Sequence, residues 1–270
     1  MPGGGLGEDD DPAQRRCPDR AGISLDQSIE MNVDPTMRPK AAKSDAPRGA
    51  SVQAYRVLRD RIVSGALRPG DPLSEPKVAA MFGVSRTPIR EVFKRLRDEG
   101  LLEILPQVGT FVSRIDIDQV REDQFVRETL ECRAVELAAE RVASSPQIRR
   151  EIEAALERQA DLVERRDTPG FMEIDDEFHA LLFRLAGHEA AWRTVQAAKV
   201  QFDRVRHLSL EDGDHLRMVF GEHRAIVGAV LAGNGAAAAA AMREHLRTVF
   251  AAIESIAHGR PDFFVCGDGD

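Results

Sequence analysis

The stretch Gly83-Val84-Ser85-Arg86-Thr87-Pro88-Ile89-Arg90-Glu91 lies between two short segments whose apolar residues recur at helical spacing. Gly83 marks a tight turn, since glycine enters the left-handed backbone region at little cost. The helix that follows opens on a hydroxyl residue. Arg86 and Arg90 stand one turn apart and therefore share a face. The first N–H groups of a helix have no partner within it and carry the positive end of its dipole. Backbone donors, hydroxyls and guanidinium forks thus aim in one direction. That arrangement suits a nucleic-acid major groove, with phosphates at the helix N-terminus and base edges within arginine reach.

The flanks support this reading. Tyr55, Leu58, Ile62 and Val63 recur at helical spacing before Gly65, and Leu67-Arg68-Pro69-Gly70-Asp71 is a turn. Ser74 is placed to cap a second short helix carrying Val78, Ala79 and Phe82. The third helix buries Ile89, Val92, Phe93 and Leu96 and stops at Gly100. Two short β-prone runs, Leu101–Leu105 and Thr110–Val112, flank the turn Pro106-Gln107-Val108-Gly109 and predict a hairpin. Three helices and a hairpin make a winged helix-turn-helix over residues 49–115. Upstream, residues 1–48 lack any sustained period and are broken by Pro12, Pro18, Pro35, Pro39 and Pro47, which reads as a disordered tail.

Beyond Ile115 the character changes to long amphipathic patterns without strand signals. Helices are expected near Ile117–Ser144, Pro146–Arg166, Pro169–Ala186, Ala190–Leu210, Gly213–Ala232 and Ala236–His258. The expected fold is mainly α: a winged helix-turn-helix followed by an all-helical bundle of about six helices over 116–260, with 261–270 as a tail. The formal net charge of −8 argues at first against nucleic acid, but its distribution does not. Residues 51–115 carry 11 Lys/Arg against 7 Asp/Glu, whereas residues 116–270 carry 19 against 29. A basic reader joined to an acidic sensor fits that asymmetry. The start of the chain is glycine-rich and acidic, unlike a signal peptide, and no apolar run is long enough to span a membrane. Cys17, Cys132 and Cys266 are widely spaced and odd in number, which reads as free thiols in a reducing cytoplasm.

One constellation in the helical half carries chemistry. Asp175 and His179 are four apart on one helix and share a face, while His223 and His245 lie on two later helices. Three neutral imidazoles and a carboxylate can surround a divalent ion, and helical bundles build such sites from inward side chains. Asp176, three before His179, is an alternative to Asp175. A lone helical histidine is more often a core or surface residue than a ligand, and His188, His207, His215 and His258 read that way. Spacing alone leaves His223 and His245 free to face elsewhere. Glu222 and Glu244 adjoin two histidines but do not create HExxH, so a hydrolytic zinc centre is not signalled.

The segments Leu67–Glu75 and Phe82–Glu91, Leu96, Glu99-Gly100-Leu101-Leu102 and the wing Gly109-Thr110-Phe111-Val112 together resemble a GntR-family winged helix-turn-helix. The helical half resembles the FadR-type effector domain (FCD domain). There Asp-x3-His, Glu-His-x-x-Ile and Met-Arg-x-His-Leu correspond to Asp175 to His179, Glu222 to Ile226, and Met242 to Leu246. The resemblance implies a cytoplasmic homodimeric transcription regulator rather than an enzyme. It is usually a repressor, released from a palindromic double-stranded operator when a small metabolite binds the helical domain. It also implies a divalent ion (Zn, Ni or Mn) held by Asp175, His179, His223 and His245, which helps to hold a carboxylate effector. Arg86 and Arg90 would contact base edges or nearby phosphates. Ser85 and Thr87 would bind phosphate, and the wing at Gly109 and Thr110 would approach the minor groove. Arg127 is the family-like candidate for pairing with the effector, with Arg204 and Arg206 as weaker ones. Two departures stand out: Pro76-Lys77 replaces the arginine common after Leu-Ser-Glu, leaving Lys77 as the phosphate contact, and Gln107-Val108 precedes the wing glycine where a basic residue is common. Two other readings remain, a DNA-binding dimer with a purely structural ion and a metal-dependent enzyme fused to a DNA-binding domain.

Overall fold

The computed structural model describes residues 47–142, 145–209 and 213–265. The expected tail over 1–48 falls almost wholly outside these residues, as do Cys17 and Cys266. The first helix, α1 (Pro47–Val63), starts upstream of Ser51, with proline in its first turn, where a missing N–H costs nothing. Ala54, Leu58 and Ile62 lie on one face and are buried. A two-residue strand β1 (Pro72–Leu73) precedes α2 (Glu75–Phe82) and α3 (Arg86–Asp98). Strands β2 (Leu102–Leu105) and β3 (Gly109–Val112) form the expected hairpin. β1 adds to its free edge, pairing Pro72 with Phe111 and Leu73 with Thr110, so the sheet has order β1-β3-β2. Two residues opening on proline carry no readable period, and an edge position is where proline is tolerated.

The α2–α3 turn follows from Gly83, which is left-handed at φ 66° and returns its N–H to the carbonyls of Ala79 and Ala80. Ile89, Val92, Phe93 and Leu96 are buried as the spacing predicts. They join Leu58, Ile62, Val78, Phe82 and Leu101 in one apolar cluster. Ser74 stands at the N-cap of α2, but its side chain makes no capping bond, contrary to expectation; a proline in the first turn removes one of the donors to be capped.

The helical domain comprises α4 (Ile117–Val142), α5 (Pro146–Arg165), α6 (Thr168–Ala186), α7 (Glu189–Ala198), α8 (Val200–Ser209), α9 (Gly213–Leu231) and α10 (Gly235–Gly259). Ser145, Asp167 and Asn234 cap α5, α6 and α10 by accepting backbone N–H bonds. α4 runs through the middle and packs against α6, α9 and α10. The expected helix Ala190–Leu210 is instead two helices, so among the described residues there are seven rather than six. The break falls at Lys199, which is buried with its ammonium between Asp176 at 2.9 Å and Asp203 at 2.7 Å. The stretch expected to be a C-terminal tail begins with a 3-10 turn, Pro261–Phe263. Phe263 and Phe264 are buried against Ile115, Val120, Phe202 and Val205. Phe264 bridges to Ile115, whose N–H donates to the Phe263 carbonyl at 2.8 Å. Two adjacent aromatic side chains supply enough apolar area to hold residues 261–265 against the bundle.

Candidate nucleic-acid interface and metal centre

The N-terminus of α3 stands clear of the core. Ser85, Arg86, Thr87 and Arg90 are exposed, and Ser85, at the N-cap, makes no side-chain capping bond. A groove of about 390 Å³ is lined by Lys77, Arg86, Gly109 and Thr110 together with Pro72–Glu75. The structure thus brings the expected helix and wing contacts to one surface. A residue not singled out from sequence sits at its centre. Glu75, the first residue of α2, holds Arg90 through Nε at 3.0 Å and lies 4.0 Å from an Arg86 Nη. Its half-buried carboxylate holds the Arg90 guanidinium before any partner arrives, while Arg86 stays at the edge of ion-pair range. Only its place after Leu73-Ser74 hinted at this.

In the helical domain α6, α9 and α10 bring Asp175, His179, His223 and His245 together. The Nε2 atoms of His223 and His179 each lie 3.3 Å from that of His245. Asp175 completes the set, with Oδ1 3.4 Å from His223 Nε2 and Oδ2 3.8 Å from His179 Nε2. Each imidazole has an acceptor on its other nitrogen. His179 Nδ1 abuts Glu131 Oε2, His223 Nδ1 is 2.7 Å from Gln159 Oε1, and His245 Nδ1 is 2.8 Å from Glu222 Oε2. These partners place the protons on Nδ1 and turn three Nε2 lone pairs toward one point. Burial, reinforced by the neighbouring imidazoles, lowers His245 to about 3 and pushes His223 well below its ordinary value. Burial would raise Asp175, but Arg206 and the histidines outweigh it and hold the carboxyl below the usual range. Asp175 Oδ1 is buried without a hydrogen-bond partner. Converging lone pairs and an unpartnered carboxylate oxygen repel one another unless a cation lies among them. The donor set of three N and one O suits a divalent transition ion.

Around this centre lie two buried arginine–carboxylate pairs. Arg127 Nε donates to Glu131 at 2.7 Å, and an Arg206 Nη lies 2.6 Å from Asp175 Oδ2. Glu131 and Gln159 were missed in the sequence, and Glu222 was noted only beside His223 and not as the partner of His245, because each lies far along the chain from the histidine it orients. Asp176, the alternative to Asp175, points instead to Lys199 at 2.9 Å and Arg206 at 3.5 Å. Arg204 is not at the centre: its guanidinium reaches Ser113 and Gln201 at the junction of the two domains, because its place on α8 faces away from α6. His188 is exposed at the start of α7, His207 is half-buried, and neither they nor His215 or His258 join the cluster. Burial raises the Cys132 thiol to about 11, as for an unreactive structural thiol.

A winged helix-turn-helix carried on a helical bundle with a buried ligand set defines a DNA-binding transcription regulator. Residues 50–112 match the family of bacterial regulatory proteins, gntR family, and residues 124–248 match the FCD domain. The chain belongs to the GntR family, in the group that carries an FCD domain. It is 36% identical over 212 residues to the HTH-type transcriptional repressor RspR of Escherichia coli K12, covering 78% of this chain and 92% of that protein. It is 41% identical to an HTH-type regulator in an unstable DNA locus of Streptomyces ambofaciens, covering 78% and 87%. A putative GntR regulator from Rhodococcus sp. RHA1 has the same fold, with a TM-score of 0.62 at 25% identity over 77% of this chain and 98% of that one. These relatives and both domain families are regulators, and the reading as an enzyme is set aside. Among the described residues no helix is long and apolar enough to cross a membrane.

Proposed function

We propose that this protein is a cytoplasmic homodimeric repressor whose operator affinity is set by a small carboxylate bound at a divalent ion in the helical domain. Residues 49–115 form the DNA reader, and 116–260 the sensor and dimerisation unit. The observation that carries the sensor reading is the convergence of Asp175, His179, His223 and His245, each imidazole oriented by its own acceptor. Such a centre would hold Zn, Ni or Mn, and the ion when bound supplies positive charge and open coordination for an anion. Arg127 and Arg206, buried beside it, complete the charge balance for a carboxylate. Arg204, committed at the domain junction, does not take this part. On the DNA side two copies set two α3 helices on a palindrome, with Arg86 and Arg90 at base edges. Ser85, Thr87 and Lys77 bind phosphate, and Gly109 and Thr110 lead the wing to the minor groove. The repressor direction is supported by the relative RspR, named a repressor, and by a probable D-xylose utilization operon repressor of Paenarthrobacter nicotinovorans, 30% identical over 68% of this chain.

The test is a thermal-shift screen of the ion-loaded protein against small organic and sugar acids, with and without chelator. A stabilising acid whose effect vanishes on chelation, and which then releases an operator, supports the reading. The complete burial of His223 and near-complete burial of His179 favour one second reading, a closed structural ion without an effector. Stabilisation by the ion alone, with every acid silent, decides for it.

A further inference from the structure

Helix α8 is fastened to both halves of the molecule. Toward the ion centre it is tied to α6 at each end: Lys199, just before its first turn, bonds Asp176 at 2.9 Å, and Arg206 lies 2.6 Å from Asp175. Its other face enters the DNA-binding domain. Val200 is buried in the same apolar cluster as Leu58, Phe93 and Leu96. Gln201 Nε2 donates to the Gly100 carbonyl at 2.8 Å, immediately beyond the C-terminus of α3. Arg204 donates to the Ser113 carbonyl at 2.7 Å and to Ser113 Oγ at 3.2 Å, immediately beyond the wing strand β3. The two side chains also brace each other, Arg204 donating to Gln201 Oε1 at 3.1 Å, while Ser113 Oγ donates to the Gly100 carbonyl. The contact is close: a Cβ built on Gly100, which is left-handed at φ 71°, would meet Gln201 Nε2 at 3.0 Å.

We propose that Gln201 and Arg204 are positioning residues that clamp the end of the recognition helix and the root of the wing to α8. The same ten-residue helix then carries any displacement at Asp175 to the DNA-reading surface. The physical basis is rigidity. A short helix pinned at one face by buried ion pairs and at the other by hydrogen bonds and an apolar anchor moves as a unit. Two faces of one helix that both bias its position provide a coupling element between sites. This inference rests on the ion-centre reading above, and uses Zn(II) alone as its probe.

The experiment takes the full-length protein and duplex DNA selected by it from a random pool. Operator affinity is measured with Zn(II) and with chelator for wild type, Gln201→Ala, Arg204→Gln and Arg204→Lys, and Zn(II) affinity is measured separately by calorimetry. Wild type is expected to show an operator affinity ratio of about fivefold or more between the two conditions, the lower end of ordinary coupling. Gln201→Ala and Arg204→Gln are expected to bring that ratio toward one while binding Zn(II) within about twofold of wild type; Arg204→Lys, which keeps one donor, is expected to recover part of it. A merely structural role would lower stability in all variants and leave the ratio unmoved. A ratio preserved in Gln201→Ala overturns the proposal. So does a wild-type ratio of one with Zn(II) bound, which leaves the ion centre standing. Absence of Zn(II) binding in wild type instead removes the ion centre, and the coupling falls with it.

Discussion

Glu131 is the residue on which the buried half of the proposed ion centre turns, and Glu131→Gln is its most informative perturbation. Its two oxygens serve two donors: Oε1 accepts from Arg127 Nε at 2.7 Å and Oε2 lies against His179 Nδ1. Arg127 and Glu131 are 3% and 1% exposed, so water replaces neither contact. Glutamine keeps the shape but has one acceptor, and its NH2 must face either the guanidinium or the imidazole N–H. Removing one partner of a buried ion pair costs about 3–5 kcal/mol. The carboxyl itself gives a similar figure. Burial would raise it, yet Arg127 and His179 bring it down from 4.5 to about 2. That corresponds to about 3 kcal/mol of stability. The sign is that of a depressed acid: this stability is full above pH 4.5 and is lost as pH falls toward about 2. At neutral pH Glu131→Gln should therefore lower the melting temperature of the ion-free protein by roughly 6–12 °C. The orientation of His179 is lost with it, and Zn(II) affinity should drop about 10–100-fold. Differential scanning calorimetry in chelator and a competitive Zn(II) titration read the two effects separately. A melting temperature within about 2 °C of wild type, together with unchanged Zn(II) affinity, would refute the reasoning.

Arg90→Ala should weaken operator binding by about 1–3 kcal/mol, a loss of roughly 5–150-fold, if the arginine reads a guanine edge; its exposed pair with Glu75 contributes little stability, so an unchanged isotherm by fluorescence anisotropy would sink the assignment. Asp123, buried on α4 beside the first backbone N–H groups of α8, has its carboxyl raised by burial from 3.8 to about 6. A raised carboxyl stabilises the folded state below pH 3.8 and that stabilisation is lost as pH rises through about 6. Asp123→Asn should thus flatten the pH dependence over that window and gain at most about 3 kcal/mol at pH 8; urea titrations showing the variant less stable than wild type there would contradict it. Phe264→Ala, which empties a site 3% exposed at the domain junction, should cost about 3–5 kcal/mol by chemical denaturation; a loss under about 1 kcal/mol would mean that the C-terminal segment does not hold the junction.

Local chemistry made half of this molecule legible from its sequence. Gly83, the apolar spacing of Ile89, Val92, Phe93 and Leu96, and the turn at Gln107–Gly109 specify the reading head, because turns and amphipathic helices are written within a few residues of themselves. Asp175 and His179 were legible for the same reason, four apart on one helix. His223 and His245 were legible as candidates only, since nothing in their spacing says which way a helix faces. Tertiary structure decided the rest. Lys199 breaks a continuous helical pattern because Asp176 and Asp203 claim its ammonium from different helices. Pro72-Leu73 is a strand only because β3 offers an edge. Glu131, Gln159 and Glu222 orient histidines from 48, 64 and 23 positions away. Arg204 reads in sequence like any arginine near an anion site, and it is the packing of α8 against both domains that turns it to Ser113. Periodicity is a property of the backbone and travels with the chain. Pairing of buried charges is a property of distance, and distance is set only once the helices have packed.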